Sequence, residues 1–204
     1  MPALLHIDSS PRQGSVSSRL AGRFTEEWKR RNPDGRVIFH NTSHERIPYV
    51  DEEMIAAYSA PTGLLSETQK KVLAYSDRLV DELLAADVVV LGVPMWNLGV
   101  PASFKAWIDL VVREGRTFAF TAQGVRGLLS PGKKVYIFSA CGGIYPEATP
   151  AKSLDLLEPY LRAILGAIGL TDITFVRAEN QSSSPKAAAE GFARAETALT
   201  ELFA

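Results

Sequence analysis

Three predicted loop segments of the chain, each just after a run of apolar residues, hold the residue types that could bind a ligand. They are SSPRQGSVSS at 9–18, PMWNLGV at 94–100 and ACGGIYPEATP at 140–150. Open parallel sheets bind ligands outside the carboxyl ends of their strands, where such segments meet. We therefore expect the three segments to form one site.

The first segment has the composition of a phosphate site. Its serine hydroxyls and backbone N–H groups precede a helical pattern, and the N-terminus of a helix attracts an anion. Neither the G-x-G-x-x-G pattern nor the Walker pattern occurs in the chain, which argues against a Rossmann-type NAD site and against an ATPase. Ordinary capping and turn residues are the alternative interpretation of these serines.

The second segment offers an apolar wall beside hydrogen-bonding groups. Met95, Trp96 and Leu98 would supply apolar surface. Asn97 would add an amide, and the combination suits a planar, amphipathic heterocycle. The alternative is that Met95 and Trp96 only cap the core.

Two glycines mark the third segment. Gly142 and Gly143 would let the backbone approach a ligand closely, although a Gly-Gly pair also occurs in ordinary turns. The neighbouring Cys141 is the only cysteine of the chain. Because a reactive thiol needs a lowered pKa, and no second cysteine is present to resolve it, we interpret Cys141 as a small buried residue and keep a redox role as the alternative.

Short apolar runs predict the strands that would position these segments. They lie at 3–7, 36–41, 87–93, 135–139 and 173–176. The run DVVVLGV is β-branched and does not alternate with polar residues, as expected for a parallel sheet that is covered on both faces.

Helical patterns lie between these strands. Ser66 begins a capping box, Pro101 suits a first helical position, and Ser184 with Pro185 opens the last helix, while Gly169 would end the helix before it. Strands that alternate with helices in this way predict a doubly wound α/β fold.

The prediction is a single domain over residues 1–204 with two excursions. These excursions, at about 42–65 and 114–132, break the alternation of strands and helices. Loops of that length inside a compact domain are usually functional or interface elements.

The composition excludes several classes of protein. The net charge of −1 gives no electrostatic basis for binding nucleic acid. No run of about 18 apolar residues suits a membrane span, and the N-terminal residues lack a basic, apolar leader. One cysteine allows no intrachain disulfide framework, so we expect a cytoplasmic protein.

The three segments resemble those of a known family. SSPRQGSVS, PMWNLGVPASFKAWID and CGGIYPEA are similar to the FMN-dependent NADH azoreductases and NAD(P)H quinone reductases of the flavodoxin-like fold. The resemblance continues over nearly the whole chain. It implies a three-layer α/β/α sandwich with five parallel strands in the order 2-1-3-4-5, bound FMN, and a homodimer with its active sites at the interface.

The resemblance also implies which residues bind the cofactor. The residues expected around the FMN phosphate are Ser10, Ser15, Val16 and Ser17. Those expected to border the isoalloxazine ring are Met95, Trp96, Asn97 and Leu98. Those expected on its pyrimidine side are Ala140, Cys141, Gly142 and Gly143.

Three aromatic residues are predicted to line the substrate site, with satellite core as the alternative. They are Phe118, Phe120 and Tyr145, the first two within an excursion at 116–121 that either subunit could contribute. No catalytic side chain is assigned, because the flavin carries the chemistry.

This sequence departs from the family pattern at four positions. Trp96 and Leu98 stand where Tyr and Phe are usual, which keeps one ring and removes the next. Val16 stands where Gln is common, so a contact near the phosphate is lost. Cys141 stands where Arg is common, which removes a cation beside the flavin and affects the choice of substrate.

The predicted activity is a ping-pong reaction. NADH or NADPH gives a hydride to the flavin and leaves, and a quinone or aromatic azo compound then accepts two electrons at the same place. Backbone N–H groups of Asn97, Gly142 and Gly143 would stabilise the charge that develops. A flavodoxin-like electron carrier or a non-catalytic flavin-binding module is the alternative, but carriers are typically strongly acidic and this chain is nearly balanced.

No metal site is predicted. His40 and His44 have the i,i+4 spacing of some metal ligands, but they fall outside the helical patterns, and only a helix places that spacing on one face. His6 lies in an apolar strand and is interpreted as a hydrogen-bonded core or edge residue.

Overall fold

Five parallel strands form the sheet at the centre of the molecule. The computed structural model describes residues 1–60, 63 and 65–204. The sheet strands are β1 Ala3–Asp8, β2 Arg36–Asn41, β3 Val88–Pro94, β6 Lys134–Ala140 and β7 Asp172–Ala178. Their order is β2-β1-β3-β6-β7. This is the predicted order 2-1-3-4-5, because the two short strands β4 Phe118–Thr121 and β5 Gly124–Gly127 precede β6 along the chain and form a separate two-stranded sheet.

Helices cover both faces of this sheet. They are α1 Val16–Arg31, α2 Glu52–Ser59, α3 Glu67–Ala85, α4 Ala102–Val111, α5 Leu157–Ala167 and α6 Pro185–Glu201. Successive strand residues point to opposite faces, so Leu4 and Val90 pack with α1 and α6 whereas Leu5 and Leu91 belong to the core on the other face. Each fully buried Leu or Phe side chain contributes roughly 1.5–3 kcal/mol, and the two cores together hold the strands in register.

The predicted helix boundaries are close to those observed. The capping box at Ser66 is confirmed, since its Oγ accepts from the Gln69 N–H at 3.2 Å and Gln69 Oε1 accepts from the Ser66 N–H at 3.0 Å. Pro101 lies one residue before the predicted position, as the N-cap of α4. Gly169 follows the end of α5 with φ +100°, a backbone conformation that glycine adopts without strain.

Each excursion contains secondary structure that the sequence did not predict. The excursion at 42–65 includes α2, and its residues 61, 62 and 64 lie outside the described part of the chain. The excursion at 114–132 contains the β4–β5 hairpin. Ion pairs hold the base of this hairpin on α3, where Arg113 contacts Asp77 at 2.6 Å and Arg116 contacts Asp81 at 2.6 Å.

None of the helices in the described ranges has the length and apolar character that crossing a bilayer requires.

Candidate functional site

The three predicted segments meet at the carboxyl edge of the sheet and enclose a cavity of about 250 Å³. Eight of the twelve residues predicted to bind the cofactor line this first cavity. They are Ser10, Ser15, Val16, Met95, Trp96, Ala140, Cys141 and Gly142. Ser17, Asn97, Leu98 and Gly143 belong to the same segments but do not line it. The three segments lie together because they follow β1, β3 and β6, which are neighbours in the sheet.

The first segment leaves the N-terminus of α1 open toward the first cavity. Ser15 is the N-cap of α1, yet its side chain makes no capping hydrogen bond and instead bonds to Ser17 Oγ at 3.0 Å. The N-caps of α2, α3 and α6, by contrast, each accept a hydrogen bond from their own helix. Backbone donors at the start of α1, with Ser10 beside them, therefore fit an anion such as a phosphate.

The second segment is a tight turn that carries Trp96 at the rim. Trp96 and Gly99 exchange two backbone hydrogen bonds of 2.9 Å, and both residues between them have positive φ, 45° at Asn97 and 71° at Leu98. Trp96 is 49% exposed, so it does not cap the core, whereas Met95 both lines the first cavity and packs partly against the core. The Met95 N–H donates to the Ala140 carbonyl at 2.8 Å, which ties the second segment to the third.

The third segment is held closely against the chain that follows β7. The N–H groups of Gln181 and Ser182 donate to the Cys141 and Gly142 carbonyls at 3.0 and 3.1 Å. A Cβ on Gly142 would lie 2.9 Å from Ser182 Oγ, so any larger residue there would have to displace the Ser182 side chain. Cys141 is buried, and burial raises the pKa of its thiol to about 11. The thiol therefore stays protonated at neutral pH, as the interpretation of a small buried residue requires.

Four residues that the sequence did not predict also line the first cavity. They are Arg12, Pro94, Gln181 and Ser182. Gln181 and Ser182 follow β7, the strand next to β6, so the rule that selected the other three segments would have found them.

A second and larger cavity lies on the other side of Trp96. Its volume is about 830 Å³, and its lining includes Trp96, Asn97, Lys105, Leu156 and Tyr160. The Tyr160 hydroxyl is buried without a hydrogen-bond partner among the described residues, and burial raises its pKa to about 12. Trp96 lines both cavities. Molecules bound in the first and the second cavity would therefore lie on either side of this residue.

Comparison with known proteins identifies the family of this chain. The sequence profile of Flavodoxin_2, described as a flavodoxin-like fold, matches residues 2–203. The FMN-dependent NADH:quinone oxidoreductase 2 of Trichormus variabilis is 46% identical over 206 aligned positions, which cover 100% of this chain and 99% of that protein. This chain belongs to the flavodoxin-like family of NADH:quinone oxidoreductases and azoreductases.

Other members of the family agree over the same length. The FMN-dependent NADH:quinone oxidoreductase of Azotobacter vinelandii is 40% identical, over 99% of this chain and 100% of that protein. The crystal structure of an azoreductase from Bacillus anthracis superposes with a TM-score of 0.88 at 32% identity, covering 98% of each chain. The prediction of an oxidoreductase of this family is therefore confirmed.

The aromatic residues predicted for the substrate site of this family member lie outside both cavities. Phe118 packs partly against the core and contacts the ring of Phe120 edge to face, with centroids 5.4 Å apart. Phe120 is 66% exposed on the hairpin, and Tyr145 lies in the third segment. Within one chain, none of the three lines the cavities described above.

A buried ion pair joins β7 to the start of α5. Arg177 on β7 contacts Asp155 at 2.8 Å and Glu158 at 2.9 Å, so its charge is already paired and does not replace the cation that Cys141 lacks. Burial acts to raise the pKa of Asp155, but the hydrogen bond and charge of Arg177 outweigh it and hold that pKa below its usual range.

The histidines take structural positions. The Nδ1 atom of His6 lies 3.1 Å from Thr25 Oγ1, as the hydrogen-bonded interpretation requires, while its Nε2 is buried without a partner among the described residues. His40 contacts Glu45 through Nδ1 at 3.0 Å and Glu82 through Nε2 at 2.7 Å. These contacts link the end of β2 to α3.

Proposed function

We propose that this chain is an FMN-dependent NADH:quinone oxidoreductase that also reduces aromatic azo compounds. The observation that carries the proposal is the meeting of three segments around one cavity, with the uncapped N-terminus of α1 at one end and the Trp96 turn at the other. The identity of 40–46% to NADH:quinone oxidoreductases over the full chain supports the same activity.

The residues at this site fit FMN. The open helix terminus at Ser15, with Ser10, Val16 and Ser17, would hold the phosphate through backbone N–H and hydroxyl groups. Met95, Trp96, Asn97 and Leu98 would lie against the ring, and Ala140, Cys141, Gly142 and Gly143 along its pyrimidine edge. Bound FMN supplies the hydride and electron chemistry. The protein therefore needs only to position the cofactor and the substrates and to polarise the flavin ring.

The chain's own groups would orient the reactants and exclude water. Backbone N–H groups of Asn97, Gly142 and Gly143 would stabilise negative charge on the ring edge, as oriented dipoles do at oxyanions. The second cavity beside Trp96 is the place where the nicotinamide of NADH, or of NADPH, and then the acceptor would bind in turn. One shared place for donor and acceptor would enforce a ping-pong order, because the oxidised donor must leave before the acceptor binds.

We also propose that the chain is a single domain that acts as a homodimer in the cytoplasm. The hairpin carries two exposed apolar side chains, Phe120 and Val125, and a second subunit could cover them. Phe118, Phe120 and Tyr145 would then line the substrate site of the dimer. The single buried cysteine is consistent with a reducing compartment.

Anaerobic absorbance spectroscopy tests the proposed activity. The purified protein with FMN should lose flavin absorbance when NADH is added and regain it when a quinone or an azo dye follows. NADH oxidation without loss of flavin absorbance would contradict the cycle. Loss of absorbance that no quinone or azo dye reverses would contradict the proposed acceptors, and no response to NADH at all would favour an electron carrier.

A further inference from the structure

A buried carboxylate lies directly beneath the segment that would hold the phosphate. Asp8 is the last residue of β1 and is only 6% exposed. Its Oδ1 accepts hydrogen bonds from the Ser9 N–H and from Ser18 Oγ, both at 2.8 Å. Because Ser18 is in the first turn of α1, Asp8 lies beside the same helix N-terminus to which a phosphate would bind.

The surroundings of Asp8 do not neutralise its charge. In the described ranges, no Lys or Arg forms an ion pair with it, and its hydrogen bonds come from neutral groups. The first turn of α1 presents Ser18, and β3 presents Gly92, where a Cβ would lie 3.1 Å from Oδ1. The titratable group that faces Asp8 is His44, in the loop after β2.

Two anions would therefore share one positive helix end. The dipole of α1 stabilises negative charge near its first turn, and Asp8 already uses part of that field. A phosphate that binds to the same turn adds a second negative group at short range, in a partly buried site where screening by water and salt is weak. The repulsion is relieved when the Asp8 carboxylate takes a proton from solvent. Burial already raises the pKa of Asp8, although hydrogen bonds from Ser18, Ser10 and Ser9 oppose that rise.

We propose that Asp8 sets the affinity of this site for the phosphate of FMN by charge repulsion, and that Asp8 binds a proton when the phosphate binds. The proposal rests on the proposed function, because it assumes that FMN is the ligand. Its consequence is that FMN binds more tightly as the pH falls, through a residue that does not itself contact the ligand.

Titration calorimetry on the apoprotein tests this coupling. Asp8→Asn keeps the oxygen that accepts from Ser9 and Ser18 but removes the charge. We expect the variant to bind FMN at least about tenfold more tightly than the wild type at pH 8, since each pKa unit of coupling is worth tenfold. The advantage should shrink toward pH 5.5. Riboflavin, which lacks the phosphate, should bind equally to both proteins.

Calorimetry also measures how many protons the protein takes up when FMN binds. Titrations in buffers of different ionisation enthalpy should show more protons taken up by the wild type than by the variant between about pH 5.5 and 8. The second ionisation of the phosphate, near pH 6, contributes equally to both proteins. His44→Gln, with Asp8 intact, should keep the extra uptake, which separates Asp8 from the histidine that faces it.

The outcomes separate this proposal from the proposed function. Equal FMN affinity and equal proton uptake in the wild type and the variant would overturn the role of Asp8, as would weaker FMN binding by the variant. If Asp8→Asn does not fold, Asp8→Ser provides the same uncharged comparison. If no version of the protein binds FMN, the proposed function itself fails.

Discussion

Among single residues, His6 has the clearest consequence for stability. Burial lowers the pKa of its imidazole to about 4, whereas in the unfolded chain it titrates near 6.5. The unfolded state therefore binds more protons below pH 6.5, and stability is lost as the pH falls from about 6.5 to about 4. Between pH 7 and pH 5 the loss from this one group should be ~2 kcal/mol.

Urea unfolding at pH 7 and pH 5 tests this expectation. His6→Gln can still donate a hydrogen bond to Thr25 Oγ1 through its amide, and it should remove most of the pH-dependent loss. The matched control is His44→Gln at an exposed histidine, which should leave the loss unchanged. A wild-type slope that persists in His6→Gln would show that another group is responsible.

The backbone conformation of Leu98 should lower the stability of the folded chain. Its φ of 71° is uncommon for a residue with a branched side chain and costs of order 1 kcal/mol. Leu98→Gly removes both the side chain and the strain, while Leu98→Ala removes most of the side chain and keeps the strain. We expect the glycine variant to be more stable than the alanine variant by ~1 kcal/mol in thermal or urea unfolding. The reverse order would mean that the turn is not strained.

At the scale of the elements, one ion pair joins β7 to the start of α5. Asp155 has no exposed side-chain surface and pairs with Arg177, so removing its charge leaves Glu158 as the remaining acidic partner of Arg177 in the described part of the chain. Asp155→Asn should lower the free energy of unfolding at pH 7 by ~2 kcal/mol, because hydrogen bonds to a charged group are weakened. Because the pKa of Asp155 is held below its usual range, the wild type should lose this contribution as the pH falls below about 4.

An exposed pair on α1 provides the control for that change. Arg30→Met breaks the contact with Glu27 at the surface and should change the urea midpoint little. If Asp155→Asn proved as harmless as Arg30→Met, the buried pair would not stabilise the fold.

Two helix N-caps with the same residue type should respond differently to the same substitution. Ser184 accepts from the Ala187 N–H at 3.2 Å, so Ser184→Ala should cost ~1 kcal/mol of stability. Ser15 makes no capping bond, so Ser15→Ala should change stability little but weaken FMN binding roughly tenfold through a lost hydrogen bond to a charged group. Thermal unfolding and flavin fluorescence titration measure the two effects. Equal destabilisation by both variants would contradict the assignment of a capping role to Ser184 and a ligand-binding role to Ser15.

The sequence predicted the central strands well, because they carry strong apolar runs. The strand predicted at 87–93 is observed as Val88–Pro94, and the one predicted at 173–176 extends to Asp172–Ala178. The added residues are held by ladder pairing with β6, which hydropathy does not report. In α2 only Met54 and Ala57 are buried, so its helical pattern was too short to detect.

The candidate site was predicted as segments but not in its details. Residue type identified the serines and the Trp96 turn, whereas the inward position of Asp8 depends on β1 pairing with both of its neighbours. The β4–β5 hairpin was missed for a similar reason. It is held by ion pairs to α3 and by the close approach of Gly127 to Gly169, contacts between positions distant in sequence.

For the molecule as a whole, ligand binding and folding should be linked. A ligand that binds only the folded chain raises the free energy of unfolding by ~2.7 kcal/mol at a hundred times its dissociation constant. For a chain of this size, FMN at that concentration should raise the thermal midpoint by roughly 5 to 10 °C. Riboflavin at the same concentration should raise it less, because it lacks the phosphate. No shift with FMN would contradict the proposed cofactor.

The three tryptophans differ in their access to water. Trp28 and Trp107 are buried in opposite cores, while Trp96 stands at the rim between the two cavities. Intrinsic emission should thus combine a protected blue component with a red component that acrylamide or iodide can quench. A molecule in either cavity would shield the Trp96 indole from the quencher. The emission of this one residue would therefore report on binding in both cavities.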